Sequence, residues 1–447
     1  MTSKTPLAAI VMAAGLGTRM RSQVPKHLHP LLGKRVVDWV LDAARETGVE
    51  RLVVVVAPGN EDAFEGVEVA VQEQPLGTGD SVASAALRLR DFEGRILVLD
   101  AAAPLLTAEH FSALVEEHEW QRADVTILSF ESEGLPYGRI VRGQDGSVQA
   151  IVEDRDATDE EKATRELNSS IYVFEAAPLW DALSHLDPHN AQGELYLTDT
   201  VKNIVAGGGK AAAWICPDAA VTLGINTRAE LAVAAAALRD RINEAHMLAG
   251  VTIVDPATTW IEDGVELAED VVVQPFTVLS GATRVETGAR IGPHVVVDSA
   301  VVGTGAAVGP FCYVRPGTVL EAGAKAGTFV EIKNSRIGAR SKVPHLSYLG
   351  DADIGEDTNI AAANVTANFS HKPDGGKGRT TIGSNVRTGV DNTFVAPVDV
   401  GDDAWIYPGT VITEDVPPAA LAGFPPRQVN KEGYVTEERR VRRERDD

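Results

Sequence analysis

The stretch MAAGLGTRMRSQVPK (Met12–Lys26) gathers phosphate-binding chemistry into one turn. Ala14, Gly15 and Gly17 follow an apolar run, and the near absence of side chains lets backbone N–H groups approach an anion closely. Arg19 adds a forked guanidinium and Lys26 a compact ammonium, the charges that a polyphosphate calls for. A second constellation lies far downstream in KVPHLSYLGDADIG (Lys342–Gly355), where His345 is a candidate general base. Arg315, Glu331, Lys333, Tyr348 and Asn359 flank it at intervals that suggest successive layers of a repeat. Two cations and several hydrogen-bonding groups beside an imidazole suit an anionic amine that must lose a proton.

A third stretch, ILVLDAAAPLL (Ile96–Leu106), reads as a buried strand stopped by Pro104. In a nucleotide-binding α/β sheet the carboxyl end of such a strand is where a metal-holding carboxylate belongs. Here Asp100 is followed by three alanines. Asp100 lies two residues before Ala102, so in an extended strand both point to one face but stand about 6–7 Å apart.

These groups need a scaffold. In residues 1–227, the runs AAIVMAAG, RLVVVVAP, RILVLD and DVTILSF alternate with amphipathic segments, which predicts an α/β Rossmann-like sheet covered on both faces. The alanine-rich, proline-free segment 228–250 reads as a linker helix. From residue 251 to 428 apolar residues recur every six positions, as in Ile261, Leu267, Val273, Leu279, Val285 and Ile291. A helix or lone strand has no six-residue period; a parallel β-helix with three short faces per coil does. A sandwich of evenly spaced strands is the alternative, but sandwiches do not hold one period for so long. The polar interruption TANFSHKPDGGKGRTT (Thr366–Thr381) reads as a loop thrown out of the coil. Residues 429–447 form a mixed-charge tail.

A formal charge of −23 disfavours nucleic acid as a partner, so bound phosphates must be held by local groups. Two distant cysteines, Cys216 and Cys312, fit a reducing compartment and exclude a cysteine-rich zinc site. The first apolar run lacks the flanks of a signal peptide, and no apolar stretch is long enough to span a membrane. The expectation is a cytoplasmic protein.

Further motifs follow in order. QEQPLGTGDSV carries Gln72, Gly77 and Thr78; YGRI carries Gly138; IVEDRDAT carries Glu153; ELNSSIY carries Asn168; GINTR carries Asn226. Together with GLGTRM…PK, they resemble sugar-1-phosphate nucleotidyltransferases. Over about residues 7–435 the chain resembles the bifunctional N-acetylglucosamine-1-phosphate uridylyltransferase and glucosamine-1-phosphate acetyltransferase family in its actinobacterial style. The resemblance implies a left-handed parallel β-helix of hexapeptide repeats after the α/β domain, and a homotrimer. It implies acetylation of glucosamine 1-phosphate from acetyl-CoA, then coupling to UTP with Mg²⁺. Arg315, Glu331, Lys333, Tyr348, Asn359 and Asn368 are implied to bind the acceptor. Ala362, Val390, Pro408 and Arg427 are implied on the acyl-CoA side.

The departures cluster. The family's magnesium-holding aspartate falls on Ala102, leaving Asn226 as the surviving metal ligand. Ser170 stands where the family has glycine, and Pro136 replaces the glycine before Tyr137. On the donor side Val390 replaces a serine, Tyr407 and Pro408 replace small residues, and the late CoA-contacting arginine falls on Pro425. Three readings follow. The chain is an N-acyltransferase using acetyl-CoA or another acyl-CoA on an amino sugar 1-phosphate or related amine, with uridylyl transfer impaired. Or it is the conventional bifunctional enzyme that makes UDP-N-acetylglucosamine. Or it is a non-catalytic trimeric scaffold that binds nucleotide or sugar phosphate.

Overall fold

A computed structural model describes residues 5–15, 17–370, 375–423 and 428–446. It divides into two compact units, 1–241 and 242–447. The long helix Arg228–Leu248 contains the division, so the expected linker 228–250 is shared between the units.

The first unit is a twisted sheet in the order Ala211–Ile215, Val125–Glu131, Glu166–Glu175, Arg95–Asp100, Leu7–Ala13, Arg51–Val56, Glu68–Val71. All neighbours are parallel except Glu166–Glu175, which runs antiparallel to both of its partners. Apolar side chains leave both faces. Ala9 and Val11 meet helices Val36–Thr47 and Ala108–Gln121, while Ala8 and Ile10 meet Thr78–Ser84 and Ala176–Ser184. A sheet buried on both sides needs continuous apolar strands, which is why LAAIVMA and RILVLD lack alternation.

The second unit is a left-handed parallel β-helix with three faces. Ile261, Leu279, Val297, Val314, Ile332 and Leu349 pair in register down one face and are fully buried. Each step between these partners is one coil, and the six-residue period is the advance from one of its three faces to the next. The parallel ladders rule out the sandwich. At one corner Phe276, His294, Phe311 and Phe329 stack ring on ring, with centroids 4.7, 4.8 and 5.2 Å apart. Leu346 takes the next place in that column, beside His345. The tail is helical from Tyr434 to Asp446.

Among the described residues no helix is long and apolar enough to cross a membrane. Cys216 and Cys312 are both free and buried.

Candidate functional site

The first cluster lies at the carboxyl ends of the central strands, where α/β sheets carry ligands. A cavity of 450 Å³, ample for a nucleotide, is lined by Ala14, Gly15, Arg19, Lys26, Gln72 and Gly77. Thr78 and Asn226 line it as well. Gly77 adopts φ 117°, and a Cβ there would lie 2.6 Å from the carbonyl oxygen of Leu195, so any side chain is excluded. The amide of Gln72 donates to the Gly77 carbonyl at 3.0 Å and to Asp80 at 2.8 Å, which fixes it at the cavity wall.

Gly138, Glu153 and Asn168 do not line this cavity. Asn168 instead braces the site: its amide donates to the Tyr172 hydroxyl at 2.8 Å, and its side-chain oxygen accepts from the Ser170 N–H at 3.0 Å. A bulge between Asn168 and Ile171 turns Ser170 toward the cavity with φ 65°, an uncommon conformation for a serine. Burial raises the Glu153 carboxyl above the usual range, against a hydrogen bond from the Thr198 hydroxyl.

The strand Arg95–Asp100 ends at Asp100 and the chain then turns. The expectation of two side chains on one extended face therefore fails. Ala102 is fully buried against Met20, Leu105 and Ile225, whereas Asp100 lines the cavity. The Asp100 carboxylate accepts the Ala102 N–H at 2.9 Å and lies 3.9 Å from the Lys26 ammonium. Lys26 in turn donates to the Asn226 side-chain oxygen at 3.3 Å.

Next to Lys26, the ring of His27 is buried and stacks on Phe64 at 6.1 Å, and its Nε2 has no hydrogen-bond partner among the described residues. Burial, with the neighbouring Lys26 charge, pushes its pKa down to about 4. The unfolded chain thus binds this proton more tightly. Stability held above pH 6.5 is lost as the pH falls toward 4, by about 3 kcal/mol at most. His27→Leu is expected to flatten this part of the profile in thermal melts between pH 7 and 4.5. An unchanged slope would rule the origin out.

The second cluster lies on the β-helix. Glu331 pairs with Tyr348, and Lys333 with Gly350, on adjacent coils of one face. Arg315 joins them through a 2.7 Å ion pair with Glu331. At Gly350 a Cβ would meet the Tyr348 hydroxyl at 2.3 Å and the Asn368 amide at 2.7 Å, so glycine lets those two groups converge. Burial works against charge on Asp351, but amides of Asn334 and Asn368 at 2.6 and 2.5 Å hold its carboxyl below the usual range. Lys377 was not singled out from the sequence. Its ammonium lies against that of Lys333 and holds it below the usual lysine range. The Asp351 carboxylate faces both cations. The glycines around Lys377 hid it among loop residues.

His345 and Asn359 sit on the neighbouring face: Asn359 bridges Lys342 and Arg387, three positions before Ala362. His345, Ala362, Val390 and Pro408 take equivalent places on successive coils. The N–H of Ala363 donates to the His345 carbonyl, that of Asp391 to Ala362, and that of Gly409 to Val390. The expected base and three of the expected donor-side residues thus form one column. Val390 is half exposed. Arg427 and His371 lie outside the described residues.

Residues 9–200 match the model of the MobA-like NTP transferase domain. The protein called bifunctional protein GlmU from Mycolicibacterium vanbaalenii is 45% identical over 461 residues, covering 97% of this chain and 93% of that one. The proteins of that name from Corynebacterium efficiens and Caldanaerobacter subterraneus are 44% and 42% identical, over 98% and 96% of this chain and 95% and 98% of theirs. The chain belongs to the GlmU family. Like other GlmU proteins it is a transferase.

The family resemblance implies magnesium and acetyl-CoA. Magnesium demands oxygen ligands in near-octahedral geometry. At the cavity, Ala102 offers a buried methyl, and the Asn226 oxygen is taken up by Lys26. Among the described residues no three His, Cys, Asp or Glu side chains gather to hold a metal. The oxygen donors that remain there, Asp100 and Asn226, both face the Lys26 ammonium, so as they stand they do not fit the ion.

Proposed function

We propose that the chain is an acyl-CoA-dependent N-acyltransferase of the GlmU family, acting on an amino sugar 1-phosphate or related amine, with uridylyl transfer impaired. The observation that carries the reading is a contrast. The cations and hydrogen-bonding groups assigned to the acceptor gather on one face, with His345 on the neighbouring one, while position 102 beside the nucleotide cavity carries a buried methyl.

In this reading Arg315, Lys333 and Lys377 hold the acceptor phosphate, and Tyr348 and Asn368 orient the sugar. His345 takes a proton from the amine as nitrogen attacks the thioester carbonyl. The C–N bond forms, the C–S bond breaks, and the proton passes from His345 to the departing CoA thiolate. No covalent enzyme intermediate is needed. The column above His345, with Ala362, Val390 and Pro408, lies along the acyl-CoA path. Arg427 belongs to the same donor set. In the nucleotide cavity Arg19, Lys26, Gln72, Gly77 and Thr78 hold the nucleotide, with Gly138, Glu153 and Asn168 shaping the sugar side. A homotrimer without membrane or nucleic-acid partners, in the cytoplasm, completes the proposal.

A second reading, the conventional bifunctional enzyme, rests on Asp100, whose carboxylate lines the same cavity as Asn226. A paired assay separates the two. One arm follows CoA release from acetyl-CoA with glucosamine 1-phosphate and other amines. The other follows pyrophosphate release from UTP and N-acetylglucosamine 1-phosphate with Mg²⁺. CoA release with little pyrophosphate release is expected; rapid release in both arms establishes the second reading. Silence in both arms, with UTP bound, establishes a scaffold.

A further inference from the structure

The oxygens of Asp100 and Asn226 both face the ammonium of Lys26, at 3.9 and 3.3 Å. Lys26 is held there by its stem as well: a Cβ on Gly17 would lie 3.2 Å from the Cβ of Lys26, so the glycine turn and the lysine pack directly together. Both charged side chains are mostly buried, which strengthens their interaction relative to one in open water. An ammonium has three protons to give and no geometric demand beyond them. One is donated to Asn226, while Asp100 at 3.9 Å is an ion-pair partner beyond hydrogen-bond length, which leaves protons for the cavity.

We propose that Lys26 is the tethered cation of this site, so that the cavity binds a nucleoside triphosphate without a divalent ion. The inference rests on the reading that the cavity takes a nucleotide, and adds how its charge is met. Free triphosphate carries several negative charges that a divalent ion ordinarily screens. In a chain with a net charge of −23 that screening must be local. Lys26 supplies it from within, with Arg19 on the same cavity wall. Its hydrogen bond to Asn226 is long and its ion pair with Asp100 is longer still, so the ammonium turns toward phosphate at small cost. Asp100 offsets part of the Lys26 charge while the cavity is empty, and gives it up to phosphate.

The test is calorimetric titration of the full chain with UTP, once in EDTA and once in excess Mg²⁺. The dissociation constants are expected to agree within fivefold; a larger weakening in EDTA overturns the proposal. Lys26→Met is expected to weaken binding in EDTA by more than tenfold, and Lys26→Arg, which keeps the charge, to retain it. Equal binding by wild type and Lys26→Met overturns the tethered-cation role. Asp100→Asn is expected to bind UTP as well or better in both buffers, whereas a loss confined to Mg²⁺ marks Asp100 as a metal ligand and overturns it. If UTP binds only with Mg²⁺, this proposal fails alone. If it binds in neither buffer, the nucleotide reading fails with it, while CoA release still reports separately on the acyltransferase.

Discussion

His345→Ala is expected to lower CoA release from acetyl-CoA and glucosamine 1-phosphate by about 10²–10⁴-fold, the range of a lost general base. The amine of an amino sugar is largely protonated near neutrality, and a protonated nitrogen has no lone pair with which to attack. The exposed imidazole of His345, the proposed base, lies in a column whose later coils carry Ala362 and Val390. The fall belongs in kcat, because phosphate binding is assigned to Arg315, Lys333 and Lys377. Initial rates across acceptor concentration check this split. The side chain at 345 is exposed, so the alanine variant is expected to melt at the wild-type temperature. A loss below tenfold, or a change confined to KM, would remove His345 from the proton transfer.

Ala102→Asp is the second large effect. Pyrophosphate release from UTP and N-acetylglucosamine 1-phosphate in Mg²⁺ is expected to rise about 10²-fold, on the scale of one restored electrostatic contact in a transition state. The Ala102 carbonyl accepts the N–H of Ile225 at 2.8 Å, so a carboxylate at 102 stands beside the segment that carries Asn226. The same change buries charge among Met20, Leu105 and Ile225, and the melting temperature falls with it. Gain of rate with loss of stability is the signature sought. A wild type that already matches the variant's rate would show that Asp100 does the work and that uridylyl transfer is intact.

Much of this molecule was legible before folding was considered. Residues 261 to 349 spell out the β-helix because each coil repeats the same buried position, and no other architecture imposes that period. The phosphate turn was legible because glycine and cation types follow directly from what an anion requires. Asp100 was not. Its direction depends on where the strand stops, and a turn of two residues reverses the reasoning that holds in an extended chain. Lys377 was hidden for a related reason: its partner Lys333 lies far away in sequence, and a loop residue shows no period. Nothing in the sequence around His27 sets it apart, yet the packing of Phe64 against it makes it a buried neutral ring. Asn359 belongs by sequence with the acceptor group but sits on the adjoining face, since coil number alone does not say which of three faces a residue takes.

The column that carries His345 gives the protein a ruler. Successive coils are spaced by one parallel-strand interval, about 4.8 Å, and His345, Ala362, Val390 and Pro408 are its marks. Adding or deleting one whole coil would slide the outer marks by one interval and leave the core periodicity and the acceptor face untouched. On the reading proposed above, the reach offered to an acyl-CoA would then change in discrete steps, by counting coils, without redesigning a single buried side chain.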